Sequence, residues 1–313
     1  RLRSPGVIDS PLSREAAFLA NNVLFAVFAF VVLLGTVFPL IVEALQNRQI
    51  AVGAPFFNRL ATPIGLALLT LMAIAPVLPW RKATTETLRD RLFWPAWCGL
   101  GALILSLALG AYGLAPLLTF ALGGVSAGAA LRQVFLATRR QGWRGLVGRA
   151  NGGMIVHLGV ILIAVALGAS NSFSKSQELS LVQNVEAQFA GHTFELRDVI
   201  EVRDDRSISV KALVLVDGRK IYAPAITKFT RIGMNVGTPS VRTSLTTDIY
   251  LTLEPPVRQD SNEARIKVFI KPMITWLWIG TVLMAVGTAL AAFPGRRRKP
   301  TEPTSAPVEV GRS

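Results

Sequence analysis

Residues 150–174 read ANGGMIVHLGVILIAVALGASNSFS, with no Lys, Arg, Asp or Glu among them. A bilayer core about 30 Å thick is crossed by about 20 apolar helical residues. The stretch therefore predicts a membrane-spanning helix with one ionisable ring inside it, His157. Its flanks differ. Arg139, Arg140, Arg144 and Arg149 crowd the N-terminal side, and a segment running to residue 271 follows on the C-terminal side with an apolar–polar alternation.

The same length rule finds the other crossings. Residues 16–42 carry no charge between Glu15 and Glu43, and residues 60–80 carry none between Arg59 and Arg81. Residues 92–131 are uncharged for twice the length of a span. Gly110-Ala111-Tyr112-Gly113, with Pro116 just beyond, predicts a turn that divides them into two helices. Residues 272–295 complete a set of six. Composition agrees. The 313 residues are 51% hydrophobic and 17% charged, where a soluble chain carries about 25% charged residues. A net charge of +14 would suit a nucleic-acid binder, but the basic residues stand in short clusters beside apolar runs, where membrane topology places them. Nucleic acid is excluded as a partner, and the lipid bilayer takes its place.

Those clusters also predict orientation. With the N-terminus cytoplasmic, Arg1, Arg3, Arg14, Arg81, Lys82, Arg89, Arg91, Arg132, Arg139, Arg140, Arg144, Arg149, Arg296, Arg297, Arg298, Lys299 and Arg312 all fall inside. The short outer loops hold only Arg48 and Arg59. Basic residues favour the cytoplasmic face, so both termini are expected there. Residues 171–271 then form an extracytoplasmic domain. Ile208, Val210, Ala212, Val214 and Val216 alternate, Asp217-Gly218 follows, and Arg219–Ala223 runs back. Asp-Gly between alternating runs is a hairpin signal. Residues 192–203, 241–254 and 264–270 are further strand candidates. The expected fold class is a polytopic α-helical membrane protein with an inserted small β-rich domain, a barrel or sandwich. Its parts are helices one to five in 1–170, the β domain in 171–271, helix six in 272–295 and a tail in 296–313. The tail's Pro, Thr and Glu predict disorder.

Few side chains offer chemistry. The one cysteine, Cys98, lies in an apolar run and reads as a small packed hydrophobe. No CxxC and no phosphate-binding loop occurs, which disfavours thiol exchange and ATP hydrolysis. No span other than that of His157 has an ionisable group near its centre, against an ion-coupled transporter. Trp80, Trp94, Trp97, Trp276 and Trp278 fall near helix ends, as an aromatic belt does. Asn21-Asn22 reads as a helix cap or interhelical glue. His157 has two readings. A neutral imidazole at that depth can ligate haem iron, with Gly152, Gly153 and Gly159 letting a flat macrocycle approach. Equally, it can hydrogen-bond a neighbouring helix while the glycines serve close packing. His192 reads as a surface or turn residue.

Several stretches resemble one family. They are Ser13-Arg14-Glu15-Ala16-Ala17-Phe18-Leu19-Ala20-Asn21-Asn22, Leu33-Leu34-Gly35-Thr36-Val37-Phe38-Pro39-Leu40 and Val52-Gly53-Ala54-Pro55-Phe56-Phe57-Asn58. Pro79-Trp80-Arg81-Lys82, His157-Leu158-Gly159, Phe194-Glu195-Leu196-Arg197-Asp198-Val199, Tyr222 and Lys271-Pro272-Met273-Ile274-Thr275-Trp276-Leu277-Trp278 extend the match. Together they resemble the C-terminal half of CcmF, the haem lyase subunit of bacterial cytochrome c maturation. The resemblance implies a bacterial inner-membrane protein that receives haem from the haem chaperone CcmE. It implies help in attaching that haem to the CxxCH motif of apocytochrome c, beside thioredoxin-like and chaperone subunits. It also implies a haem b in the membrane, with His157 as one axial ligand of its iron. The family's tryptophan-rich WWD segment, the two histidines that flank it and the second haem ligand belong to an N-terminal half that this sequence does not contain. The chain opens on Arg1 without an initiator methionine, so a fragment or a split subunit is expected, acting as a lyase only with that half. The alternative is a non-catalytic membrane scaffold subunit.

Overall fold

A computed structural model describes residues 13–76, 78, 85–230, 233–255 and 262–293. The tail, the Pro79–Lys82 exit and the basic residues at both ends lie outside the described residues. Among those described, six helices are long and apolar enough to cross a membrane. They are α1 (Arg14–Gln46), α2 (Ala54–Ile74), α3 (Thr85–Ala108), α4 (Leu114–Gln141), α5 (Arg149–Phe173) and α6 (Ile274–Ala292).

Ser13 caps α1, its hydroxyl accepting the Ala16 N–H at 3.2 Å. Asn21 and Asn22 therefore lie about two turns inside the helix and cap nothing. The helix closes on Asn47, whose left-handed backbone sends its N–H to the Glu43 carbonyl. The second helix begins at Ala54, six residues before the expected span. A window that stops at charge misses its first turns because Arg59 is exposed there, where a long side chain reaches water. Gly110 and Gly113 adopt positive φ and make the α3–α4 turn. That turn is pinned from outside. Ser172 Oγ accepts the Tyr112 N–H at 2.9 Å and donates to the Tyr112 carbonyl at 3.1 Å. Cys98, expected to be packed, is exposed beside Gly128 at the bundle surface.

Helices α5 and α6 meet backbone to backbone. A Cβ on Gly159 would stand 2.6 Å from the Gly280 carbonyl, and one on Gly287 would stand 2.6 Å from the Val156 amide. Small residues permit such contact where lipid offers no hydrophobic drive for association.

The β domain is inserted between these two helices. It comprises β1 (Lys175–Val182), β2 (Glu186–Phe189), β3 (His192–Asp204), β4 (Ser207–Val216), β5 (Lys220–Tyr222), β6 (Ala225–Phe229), β7 (Asn235–Thr238), β8 (Ser240–Arg242), β9 (Thr247–Leu253) and β10 (Glu263–Pro272). One sheet runs β1-β10-β9-β8 and the other β2-β3-β4-β6-β7, with β5 beside β4. Their facing sides share one core that includes Leu181, Phe194, Leu196, Val214, Leu251, Ile266 and Val268, all fully buried. The Asp217-Gly218 hairpin is present, and both residues have positive φ, the requirement of the tight turn that suits strand twist. Residues 241–254, expected as one strand, form two. Ser244 Oγ bonds both the Thr247 carbonyl at 2.6 Å and the Thr247 N–H at 3.0 Å and folds a turn between β8 and β9. The β domain is seated on α6, where Thr275 donates to the Ser244 carbonyl and the Trp276 indole to the Leu245 carbonyl.

Residues 175–272, expressed alone, are expected to give a β-rich circular dichroism spectrum. Phe194→Ala should cost that domain about 3–5 kcal/mol in urea unfolding, since it removes a fully buried ring. A loss below about 1 kcal/mol would contradict the shared core.

Candidate functional site

Successive residues of an α-helix step about 100° around its axis. On α5 this sets Gly152, Val156, Gly159 and Ile163 along the face that meets α6, and Ile161, Val165 and Gly168 along the face that meets α4. His157 falls on the flank beside the α4 face, with Gly153 one turn before it and Ala164 two turns after. The His157 ring is half-buried. Among the described residues it has no hydrogen-bond partner.

The three glycines expected to admit a macrocycle part company here. A Cβ added at Gly153 would meet nothing within 4 Å, so the backbone beside the ring is open to a flat group. At Gly159 it would stand 2.5 Å from Met284 and 2.6 Å from the Gly280 carbonyl. That glycine is committed to α6, and its expected role beside haem is corrected to helix packing. Gly152, against Ala291, is committed likewise.

Further along the His157 flank, α2, α4 and α5 line an open groove of about 200 Å³. Thr62 and Gly65 of α2, Ala115 of α4, and Ala164 and Asn171 of α5 line it. The sequence reading did not foresee this groove. Its signal is the spacing His157, Ala164, Asn171, which returns to nearly the same flank every seven residues. Asn151 was also missed. It is buried, and its Nδ2 donates to the Gly145 carbonyl, fixing the start of α5.

His192 lies elsewhere, at the start of β3. Its Nδ1 is 2.8 Å from Asp217 Oδ2, and Asp217 Oδ1 accepts the Thr193 N–H at 3.0 Å. The pair clamps two hairpin tips together. Partial burial alone would raise the Asp217 carboxyl. The hydrogen bonds from His192 and Thr193, with the charges of His192 and Arg219, outweigh it and hold the group below its ordinary range. Among the described residues no three His, Cys, Asp or Glu side chains gather as a metal site.

Comparison with known proteins was made on three fronts. No family model matches the chain. The cytochrome c-type biogenesis protein CcmF of Pseudomonas fluorescens is 30% identical over 303 residues, covering 91% of this chain and 44% of that protein. The cytochrome c-type biogenesis protein ccl1 of Rhodobacter capsulatus is 31% identical over 92% of this chain and 45% of its own. CcmF of Escherichia coli K12 is 26% identical over 95% and 46%. A solved structure of the cytochrome c haem lyase CcmF superposes with a TM-score of 0.73 at 26% identity, covering 91% of this chain and 46% of that one. The chain thus spans about half the length of the relatives it matches. The fold and these relatives define a polytopic membrane protein homologous to the cytochrome c-type biogenesis proteins. The part of CcmF that the chain is similar to is its C-terminal half.

The His192–Asp217 clamp gives a pH test. A carboxyl depressed in the folded state adds stability above its unfolded value, about pH 3.9, and that stability is lost as pH falls through the folded value. Thermal melts of wild type and Asp217→Asn should therefore differ at pH 6 and converge below about pH 4. A constant gap across that range would show that the carboxylate charge is irrelevant to the clamp.

Proposed function

We propose that the chain is the C-terminal, haem-handling half of a cytochrome c haem lyase, and that His157 is an axial ligand of a haem b in the membrane. The observation that carries this is the His157 ring itself, half-buried in a membrane-spanning helix, without a hydrogen-bond partner among the described residues and one turn from open backbone at Gly153. A polar ring at that depth needs a partner, and among the described residues the structural alternative, a bond to a neighbouring helix, is not made. Neutral imidazole nitrogen is a good ligand for haem iron. When bound, the haem supplies a one-electron redox centre. The chain's own part is to present one nitrogen from a fixed helix and to leave Gly153 without a side chain beside it.

One histidine makes half of a bis-histidine site, and the chain spans about half the length of its relatives. The second ligand is therefore assigned to an N-terminal half, as a separate subunit or as the rest of a longer chain. In this reading the assembled protein receives haem from CcmE and joins it to the CxxCH cysteines of apocytochrome c, with thioredoxin-like and chaperone subunits as neighbours. It sits in the bacterial inner membrane with both termini cytoplasmic and the β domain periplasmic, an orientation supported by the asymmetry of Lys and Arg between the two faces.

With the N-terminal half co-expressed, His157→Ala should insert normally but lose most of its haem per protein and most of the c-type cytochrome yield. His157→Cys should recover part of the haem with a shifted potential, since thiolate also binds haem iron. Unchanged haem and yield in His157→Ala would overturn the assignment and leave a scaffold subunit.

Orientation is tested separately. Reporter fusions after Arg140 should give a cytoplasmic signal and fusions within residues 180–265 an outside one. An outside signal at Arg140 would reverse the topology.

A further inference from the structure

We propose that the corner where α4 turns into α5 binds the headgroup of an anionic phospholipid. From Leu92 to Gln177 the chain contains no Asp or Glu, yet Arg132, Arg139, Arg140, Arg144 and Arg149 fall in that stretch. Arg132, Arg139, Arg140 and Arg144 are exposed. Among the described residues none of these four guanidinium groups meets a carboxylate or a hydrogen-bond acceptor. Their counter-charge must come from outside.

The corner is built tightly enough to hold them in place. A 3-10 turn over Gly142–Leu146 folds back on α4 so closely that a Cβ at Gly145 would stand 2.3 Å from the Ala137 carbonyl. Asn151 of α5 donates to the Gly145 carbonyl, and the Gly148 N–H donates to Leu290 of α6 at 3.0 Å. Three helix ends are thus tied together beneath the arginines. No side chain caps the start of α5 at Gly148, so its partial positive charge adds to theirs.

What surrounds the charges selects a lipid over a soluble anion. Leu131, Phe135, Arg139 and Trp143 follow one another at four-residue spacing, and Leu131, Phe135 and Trp143 are exposed by 53%, 63% and 83%. The first three lie on α4 and the indole in the turn that follows it, so the order toward the helix end is apolar, apolar, basic, indole. An acyl chain lies against the first two, a phosphate meets the guanidinium groups in a charge-assisted fork, and the indole sits at the headgroup level. Both helices that meet here are membrane spans, so the corner stands at the edge of the hydrocarbon.

The proposal depends on the membrane fold and is independent of haem binding. The test is native mass spectrometry of the protein released from nanodiscs of equal phosphatidylglycerol and phosphatidylcholine. Wild type should retain phosphatidylglycerol preferentially. Arg139→Gln/Arg140→Gln/Arg144→Gln should lose the preference, at about five-fold per arginine. Arg48→Gln/Arg59→Gln, at the face predicted to be opposite, should keep it. Preference surviving in the triple variant would overturn the proposal. Displacement of the lipid by excess inorganic phosphate would identify a free-anion site and overturn it as well. A second measurement needs no arginine variant. Brominated phosphatidylglycerol should quench the fluorescence of wild type more than that of Trp143→Phe, and more than brominated phosphatidylcholine does. Equal quenching by the two lipids would also sink the assignment.

Discussion

Everything distinctive in this structure hangs on the seam where glycines let the backbones of α5 and α6 meet. The β domain departs from α5 after Phe173 and returns to α6 at Ile274, so the spacing of these two helices sets the spacing of its two stems. Gly152, Gly159, Gly280 and Gly287 let the backbones approach until any added Cβ would overlap the opposite helix. In water such a seam would gain from burying apolar surface. In hydrocarbon it holds mainly by van der Waals contact, which falls off steeply with distance. A single methyl in the seam therefore forces the helices apart at that point.

The seam also determines which side of α5 is left for other work. Because Gly152, Val156 and Gly159 are turned to α6 and Ile161, Val165 and Gly168 to α4, only the flanks between remain. His157 lies on one of them. Rigidity is passed to the far end of the helix by Ser172, which bonds both polar groups of Tyr112 in the α3–α4 turn. On the α6 side the Met273 N–H bonds the Thr246 carbonyl, while Thr275 and Trp276 hold the β8–β9 turn. The β domain is thus tied by hydrogen bonds at its α6 stem, while its α5 stem leaves from a helix end pinned to the α3–α4 turn.

The membrane part of this fold was legible because the bilayer imposes one rule, a charge-free length, that each helix must satisfy by itself. The rule failed where charge is tolerated, as at exposed Arg59 near the start of α2. In the β domain the legible elements were those with a strong local signal, such as β4, whose alternation ends at Asp217-Gly218. Strand β7 gave none, since all four of its residues are exposed and no burial pattern marks them. The β8–β9 break was hidden for another reason. A serine in a polar run breaks a strand only when its hydroxyl finds backbone partners, as Ser244 does.

The site was half legible for a geometric reason. His157 stood out as an ionisable ring in a span, a property of composition. The roles of its glycines did not, because Gly153 and Gly159 are six residues and therefore about 120° apart on the helix. One of the two had to face away from whatever the other contacts, and nothing local in the sequence says which faces α6. The same geometry bears on the chemistry. An imidazole without a partner in an apolar bundle costs on the order of a few kcal/mol, a cost that a metal–nitrogen bond or a donor from a further helix would remove. The α4 and α6 faces of α5 are already filled. On the proposed reading, a partner for His157 would arrive along the flank that carries Gly153 and leads to the Ala164–Asn171 groove. On that reading, completing the site and docking whatever adjoins that flank would be one event.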